Sequence, residues 1–212
     1  VAVTADDGAV VYVNGNEVAR QRMDDGTVDA STYANASVAT PAARADRQLV
    51  FVPVDKLVAG TNTLAVETHL NYRSSSSMTI DGMVKVVTKG DEPAPAPAPD
   101  PEPDPAPQPE PDTPLTPDPD KPLEVLDVSE LNFGGFLFSG MYWNYWNSKE
   151  SPDPAWNSTA DLSSWKHGAS PLGWGDRDAG TPFTMPAADR AITNYFVRDI
   201  NFGTLSADFE VT

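Results

Sequence analysis

A proline-rich segment in the middle of the chain limits what this sequence can fold into. Fourteen of its 21 prolines lie between Pro93 and Pro122, where nearly every second residue is proline. Proline fixes φ and lacks a backbone donor, so neither a helix nor a strand ladder can run through the segment. Its acidic side chains repel one another, and we predict an extended spacer of roughly 90–100 Å at about 3.1 Å per residue. A role as a ligand for a proline-recognition domain is disfavoured, because the repeat lacks basic and aromatic residues that would give specificity.

The spacer divides the chain into a first flank (residues 1–88), an acidic linker (89–124) and a second flank (125–212). Net charges of −3, −8 and −6 account for the −17 of the whole chain, so nearly half of the charge lies in the linker. Nucleic acid is not expected as a partner, because phosphate binding needs clustered cations. Membrane insertion is not expected either, because no apolar run approaches the roughly 18 residues of a spanning helix. With no cysteine, the chain has no disulfide, thiolate metal ligand or cysteine nucleophile.

Both flanks have the pattern of short β-strands. Residues 9–13 form a β-branched and aromatic run that ends at Asn14-Gly15, a dipeptide that tolerates the positive φ of a hairpin turn. Further strands are predicted at 49–54, 62–70 and 78–87, then at 136–138, 142–143, 192–198 and 207–211, with a helical turn at 187–191. Many short strands separated by turn signals predict an all-β antiparallel sandwich.

Two pairs of motifs resemble the halves of one known module. Residues 5–18 (ADDGAVVYVNGNEV) and 57–67 (LVAGTNTLAVE) resemble the C-terminal half of galactose-binding-domain-like jelly rolls, which are accessory modules of secreted bacterial proteins. They are also similar to the sugar-binding domain of β-galactosidase-type glycoside hydrolases. Residues 161–176 (DLSSWKHGASPLGWGD) and 193–198 (TNYFVR) resemble the N-terminal half of the same module. The resemblance implies an extracellular or cell-surface bacterial protein and a jelly roll split into a C-terminal half, a proline-rich linker and an N-terminal half.

The halves stand in the reverse of the family order. We therefore predict that residues 125–212 of one copy and residues 1–88 of a neighbouring or the same copy form one jelly-roll body. Across such a junction one continuous strand would keep a two-residue apolar alternation, carried by Phe209, Val211, Val1 and Val3. Each flank alone would expose half of a core. Three arrangements stay open: covalently continuous repeats, chains completed by their neighbours, and a permuted domain that closes on itself.

Acidic loops are the candidate metal sites. Carboxylates in loops are the ligands that calcium prefers, and they are supplied here by Asp6, Asp7, Asp176 and Asp178, with Asp24-Asp25 as a further pair. Turn formation is the favoured interpretation, because aspartate and glycine are typical of β-turns. Arg177, between Asp176 and Asp178, offers an ion pair in place of a metal. No cofactor is predicted, with calcium as the alternative.

The aromatic stretch around residue 143 contains the candidate glycan ligands. Exposed aromatic rings stack on sugar faces, and the candidates here are Tyr142, Tyr145 and Trp146. Strand alternation puts Tyr145 on the face opposite the other two, so one of the two faces is expected to belong to the core. The resemblance places Trp165 and Trp174 in the core as well.

No motif singles out a catalytic pair among the 31 acidic residues, and the related sugar-binding domains are non-catalytic. We therefore predict that the chain is not an enzyme. The first hypothesis is an extracellular structural repeat or fibre subunit with an adhesive role, whose copies join head to tail through stiff spacers. The alternative is a carbohydrate-binding accessory module with glycans as partners.

Overall fold

A computed structural model of the chain describes residues 1–83, 121–127 and 140–203. The first flank forms strands β1 (Ala2–Asp6), β2 (Gly8–Val13), β3 (Asn16–Gln21), β4 (Gln48–Leu49), β5 (Thr61–His69) and β6 (Met78–Met83). It also forms a short helix α1 (Thr40–Ala45) and a 3-10 turn at Val54–Lys56. The rest of the described chain forms β7 (Leu126–Asp127), β8 (Tyr142–Trp146), β9 (Lys166–Ala169), β10 (Leu172–Trp174), β11 (Thr181–Pro182) and β12 (Thr193–Asn201), with a 3-10 turn at Ala187–Asp189.

The strands form two sheets. The smaller sheet has the order β11-β10-β6-β1-β4, and the larger has the order β3-β2-β5-β12-β8-β9, with β7 paired to the end of β12. Among the described strands, only β10–β11 and β7–β12 pair in parallel. The prediction of an all-β, mainly antiparallel sandwich is confirmed.

Both sheets combine strands from the two flanks. In the larger sheet, β5 and β12 form an antiparallel ladder of nine residue pairs that runs from Thr61↔Asn201 to His69↔Thr193. In the smaller sheet, β6 pairs with β10 from Met78↔Trp174 to Ile80↔Leu172. The longest ladder of the described fold therefore joins the first flank to the second.

The core lies between the sheets and draws on both flanks. Fully buried apolar side chains from the first flank include Val11, Val66 and Ile80, and those from the second include Trp143, Leu172 and Phe196. In the larger sheet these positions alternate with outward-facing residues such as Val10, Ala65 and Tyr195, which are buried as well. Trp174 also belongs to this core, as predicted.

The outer face of the larger sheet is covered by two loops. The loop after β3 packs Met23 and Ala34 against Val10. The loop between β8 and β9 brings Trp165, together with Trp156 and Leu162, over Tyr195 and its neighbours. Trp165 is 9% exposed, so its prediction as a core residue is confirmed for this second, smaller cluster.

The predicted hairpin is present, whereas one predicted strand is not. Asn14 and Gly15 take φ values of 50° and 77° in the turn between β2 and β3. The strand predicted at 49–54 ends at Leu49, although the backbone N–H of Val50 still donates to the carbonyl of Val1 at 2.7 Å. Phe51 is 82% exposed and proline follows at position 53, so the apolar run neither packs nor supplies a continuous set of donors.

Several predictions fall on residues outside the described ranges. These are the strands at 136–138 and 207–211, the junction residues Phe209 and Val211, and the spacer up to residue 120. Val1 and Val3 are described, and both pack against the main core. In the part of the chain that the structure describes, no helix has the length and apolar character needed to cross a membrane.

Candidate functional site

A polar cleft lies at one end of the larger sheet, where β5 and β8 end and β12 begins. It encloses about 460 Å³. The first flank lines it with Asp29, Ala30, Ser31 and Arg73. The second flank lines it with Ser148, Lys149, Ser151, Ala191, Ile192 and Thr193. The β5–β12 ladder brings these segments together, so the cleft requires both flanks.

A local turn fixes Asp29 at the cleft. Its Oδ1 atom accepts bonds from the backbone N–H of Ser31 at 2.8 Å, from the Ser31 hydroxyl at 2.7 Å and from the Thr32 hydroxyl at 3.2 Å. These bonds, led by the one from the Ser31 hydroxyl, hold the pKa of Asp29 below its ordinary value. Asp29 is therefore a carboxylate at neutral pH, and its Oδ1 atom is already satisfied by donors.

A buried polar network lies behind the cleft. The hydroxyl of Thr193 is 3.0 Å from Nδ1 of His69 and donates to the carbonyl of Ala30 at 3.1 Å. Nε2 of His69 is 3.6 Å from the Glu67 carboxylate, which accepts a 2.6 Å bond from the Tyr12 hydroxyl. Burial, and then the charge of Glu67, raises the pKa of Tyr12. Tyr12 therefore stays a hydrogen-bond donor over the physiological pH range.

The Thr193–His69–Glu67 array resembles a nucleophile, a base and an orienting acid, but its hydrogen bonds exclude that role. Nδ1 of His69 is also 2.9 Å from the carbonyl of Thr32, which can only accept, so Nδ1 carries the proton. A protonated Nδ1 cannot take the proton of Thr193. The network instead ties the loop at residues 29–32 to the sheet through Thr193 and Nδ1 of His69.

The structure separates the three predicted glycan ligands. Tyr145 faces the core and stacks on Phe183 with ring centroids 4.7 Å apart. Tyr142 and Trp146 lie on the outer face, where both are half-buried. Trp146 lies 5.9 Å from the ring of Trp165 and donates from its indole nitrogen to the carbonyl of Glu150 at 2.7 Å. All three belong to β8, and Trp146, the last residue of that strand, is the one nearest in sequence to the cleft residue Ser148.

Asp6 and Asp7 lie at the end of β1 and tie loops to it. Asp6 accepts a 2.6 Å bond from the hydroxyl of Thr40 in α1. Asp7 accepts the backbone N–H of Val38 at 2.9 Å and that of Asn71 at 2.8 Å. Both carboxylates are almost fully buried. Their contacts are those of loop anchors.

Asp176 and Asp178 share an arginine from the other flank. Arg44, in α1, donates to Asp176 at 2.6 Å and to Asp178 at 2.8 Å. The prediction that Arg177 would pair with these carboxylates is wrong, because α1, packed on β1, places the Arg44 guanidinium against both of them. Among the described residues, no group of three or more histidine, cysteine, aspartate or glutamate side chains is placed to hold a metal ion.

We expect an Asp6→Asn variant to match the wild type in stability near pH 4 and to exceed it at pH 7. Burial is the main cause that raises the pKa of Asp6 above its ordinary 3.8, so the folded chain retains a proton that the unfolded chain loses. The contribution of Asp6 is therefore fully present below about pH 3.8 and is lost as pH rises through the folded pKa. Asparagine keeps an acceptor for Thr40 and does not ionise. Urea unfolding from pH 3.5 to 8 measures the difference.

Asp161→Asn is the matched control with the opposite sign. The backbone N–H of Ser163 donates to Asp161 at 2.9 Å and lowers its pKa, so this carboxylate stabilises the fold above its unfolded pKa. This variant should lose stability relative to the wild type as pH rises. A difference between Asp6→Asn and the wild type that stays constant with pH would contradict the assignment.

Sequence analysis missed the cleft. Its charged residues, Arg73, Lys149 and Asp29, come from three separate segments and form no motif. The available signal was the local pattern Asp29-Ala30-Ser31-Thr32, which is typical of a turn closed by an aspartate side chain.

Comparisons with protein-family models, curated proteins and solved structures gave no match to this chain. The class that the structure defines is an all-β sandwich assembled from two sequence-separated halves.

Proposed function

We propose that the chain is a non-catalytic structural repeat or fibre subunit at the bacterial cell surface or outside the cell. In such a fibre, the second flank of one copy and the first flank of the next form each sandwich body, and acidic spacers string the bodies head to tail. The observation that carries the proposal is the sharing of both sheets and of the core by the two flanks.

The β5–β12 ladder supports the idea that neither flank is complete without the other. Without the second flank, β5 would lose nine residue pairs, and the core side of the larger sheet would lose Trp143 and Phe196. Exposed apolar faces and open strand edges are the features that drive chains to associate. In the single chain, the flanks close on each other, and exchange between copies would use the same contacts.

The positions where the linker leaves and rejoins the body support a head-to-tail arrangement of separate bodies. Met83 pairs with Ala2, and Leu126 pairs with Ile200, so both lie at the end of the sandwich opposite the cleft. The two sheets of a sandwich are only about 10 Å apart, so a closed chain would need a short connection. The predicted spacer length of roughly 90–100 Å is many times longer than that. Such length is useful for holding separate bodies apart.

Refolding at high protein concentration should produce chains of linked bodies. We expect masses at successive multiples of the monomer after refolding from urea at high concentration, and monomers after refolding at low concentration. Size-exclusion chromatography with light scattering measures the distribution. The control is residues 125–212 fused directly to residues 1–88, which has no spacer and should stay monomeric under both conditions. Monomers alone at every concentration would overturn the proposal.

A carbohydrate-binding accessory role is the second candidate. The polar cleft favours it, because the cleft offers hydroxyl groups, a carboxylate and cations beside apolar carbon, the mixture that ligand sites for polar small molecules use. Trp146 leads into this cleft from β8. The two roles are compatible, since a fibre can present a binding site on each body.

A further inference from the structure

We propose that the cleft binds a hydroxyl-bearing carboxylate, such as a sugar acid, and that the site is complete only when the two flanks are joined. This inference rests on the second candidate role, whose ligand class it names, and it applies whether the flanks come from one chain or from two copies.

The cations of the cleft are available to an anionic ligand. Arg73 is exposed and makes no ion pair or hydrogen bond with other residues in the described ranges. Lys149 is exposed as well, and its contact is a 3.6 Å pair with the solvent-exposed Asp189. An ion pair of that kind contributes little, so it can be exchanged for a ligand carboxylate. A guanidinium and an ammonium on segments from different flanks thus converge on one cleft in a chain of net charge −17.

The remaining lining selects against a simple anion. Asp29 would repel an ion that carries charge on every side, and its second oxygen, Oδ2, is left to accept hydrogen bonds from ligand hydroxyls. Ser31 and Ser151 add exposed hydroxyls beside it. Ile192, which is half-buried, provides apolar surface for ligand carbon. A ligand with one carboxylate, several hydroxyls and a C–H face satisfies all of these groups together.

An uncharged sugar or a simple carboxylate would satisfy only part of the cleft. A neutral sugar leaves the two cations without a partner, and acetate leaves the hydroxyl and carboxylate groups without one. Binding sites discriminate most strongly when the wrong ligand leaves polar groups unpaired. The expected preference is therefore for the sugar acid over both.

Ligand binding would also stabilise the joined body. The first flank supplies Asp29 and Arg73, the second supplies Lys149 and Ala191, and the ladder from β5 to β12 holds them together. A ligand that binds only the assembled state raises its apparent stability by mass action. The melting temperature is thus a direct readout of the site.

The test uses the full chain with D-glucuronate as probe and with D-glucose and sodium acetate at matched ionic strength. We expect glucuronate to bind with a Kd of roughly millimolar order, and glucose and acetate at least about tenfold more weakly. Chemical-shift titration gives the Kd values, and the melting temperature should rise with glucuronate alone. Failure of glucuronate, galacturonate and gluconate to bind up to about 50 mM would overturn the proposal. Equal binding of glucose or acetate would overturn it too.

Three charge-removing variants separate the cleft from general electrostatics. Arg73→Gln and Lys149→Gln should each weaken glucuronate binding about tenfold, which is typical of a lost charge-assisted bond. Arg177→Gln removes the same charge from an exposed loop outside the cleft and should leave the Kd unchanged. Unchanged binding in both cleft variants would overturn the proposal, as would equal weakening in all three. Both cleft residues are exposed, so both variants are expected to fold. If one of them does not fold, the other is sufficient to test the proposal.

The spacer-free fusion of residues 125–212 to 1–88 distinguishes this inference from the fibre proposal. It contains every cleft residue, so it should bind glucuronate as the full chain does. A full chain that stays monomeric at all concentrations, with normal glucuronate binding by both proteins, would remove the fibre alone. Fibres without binding would remove the cleft alone.

Discussion

Residues 1–88 and residues 125–212, produced as separate polypeptides, are expected to be unfolded alone and to form one cooperative body when mixed. The reason is that each flank holds only one side of the β5–β12 ladder and of the β6–β10 pairing. Each flank alone would also leave its part of the common core open to water, where burial otherwise contributes about 25 cal/mol per Å² of apolar surface. Circular dichroism melts of each flank and of an equimolar mixture measure the effect.

The control for this experiment is a second flank that ends before β12, at Ile192. This shortened flank lacks the strand that pairs with β5 and should not restore a cooperative melt. If either intact flank alone melted cooperatively as a monomer, the two-halves architecture and the fibre proposal would both fail.

Gly173→Ala is expected to destabilise the body by about 3 kcal/mol or more, which lowers its melting temperature by roughly 10 °C. Gly173 lies in β10 with a φ of +149°, a conformation that side chains with a Cβ rarely adopt. An added Cβ would lie 1.8 Å from the carbonyl oxygen of Met78 in β6. The obstructing atom belongs to the backbone of a paired strand, so β10 must move away from β6. The substitution thus acts directly on the contact between the flanks.

Gly26→Ala is the matched control for Gly173→Ala. Gly26 also has a positive φ, +110°, but no atom lies within 4 Å of an added Cβ. This variant should be destabilised only by the backbone strain that alanine meets at this φ, about 1–2 kcal/mol. Thermal unfolding followed by tryptophan fluorescence compares the two. Equal losses would show that the close approach of β10 to β6 is not needed for stability.

The strands and their faces could be predicted from local patterns. The runs at 62–70 and 192–198 closely predicted β5 and β12, because β-branched, aromatic and apolar residues between turn signals favour strands. Asn14-Gly15 predicted the β2–β3 turn for a similar local reason, since few residues tolerate positive φ. The strand predicted at 49–54 was wrong beyond Leu49, because apolar content does not show whether a segment has a partner strand. Phe51 in this segment is exposed.

The ion pairs and the cleft were decided only by the tertiary structure. Arg44 lies more than 130 residues from Asp176 and Asp178, and their contact depends on α1 lying over the smaller sheet near the end of β10. The cleft likewise joins Arg73 to Lys149 through the pairing of β5 with β12 and of β12 with β8. The sequence by itself determined the strands, the turn and the acidic proline-rich division between the flanks, because each depends on neighbours along the chain. Which side chains meet depended on strand order and register across the two flanks, because these long-range pairings are set by packing of the whole core.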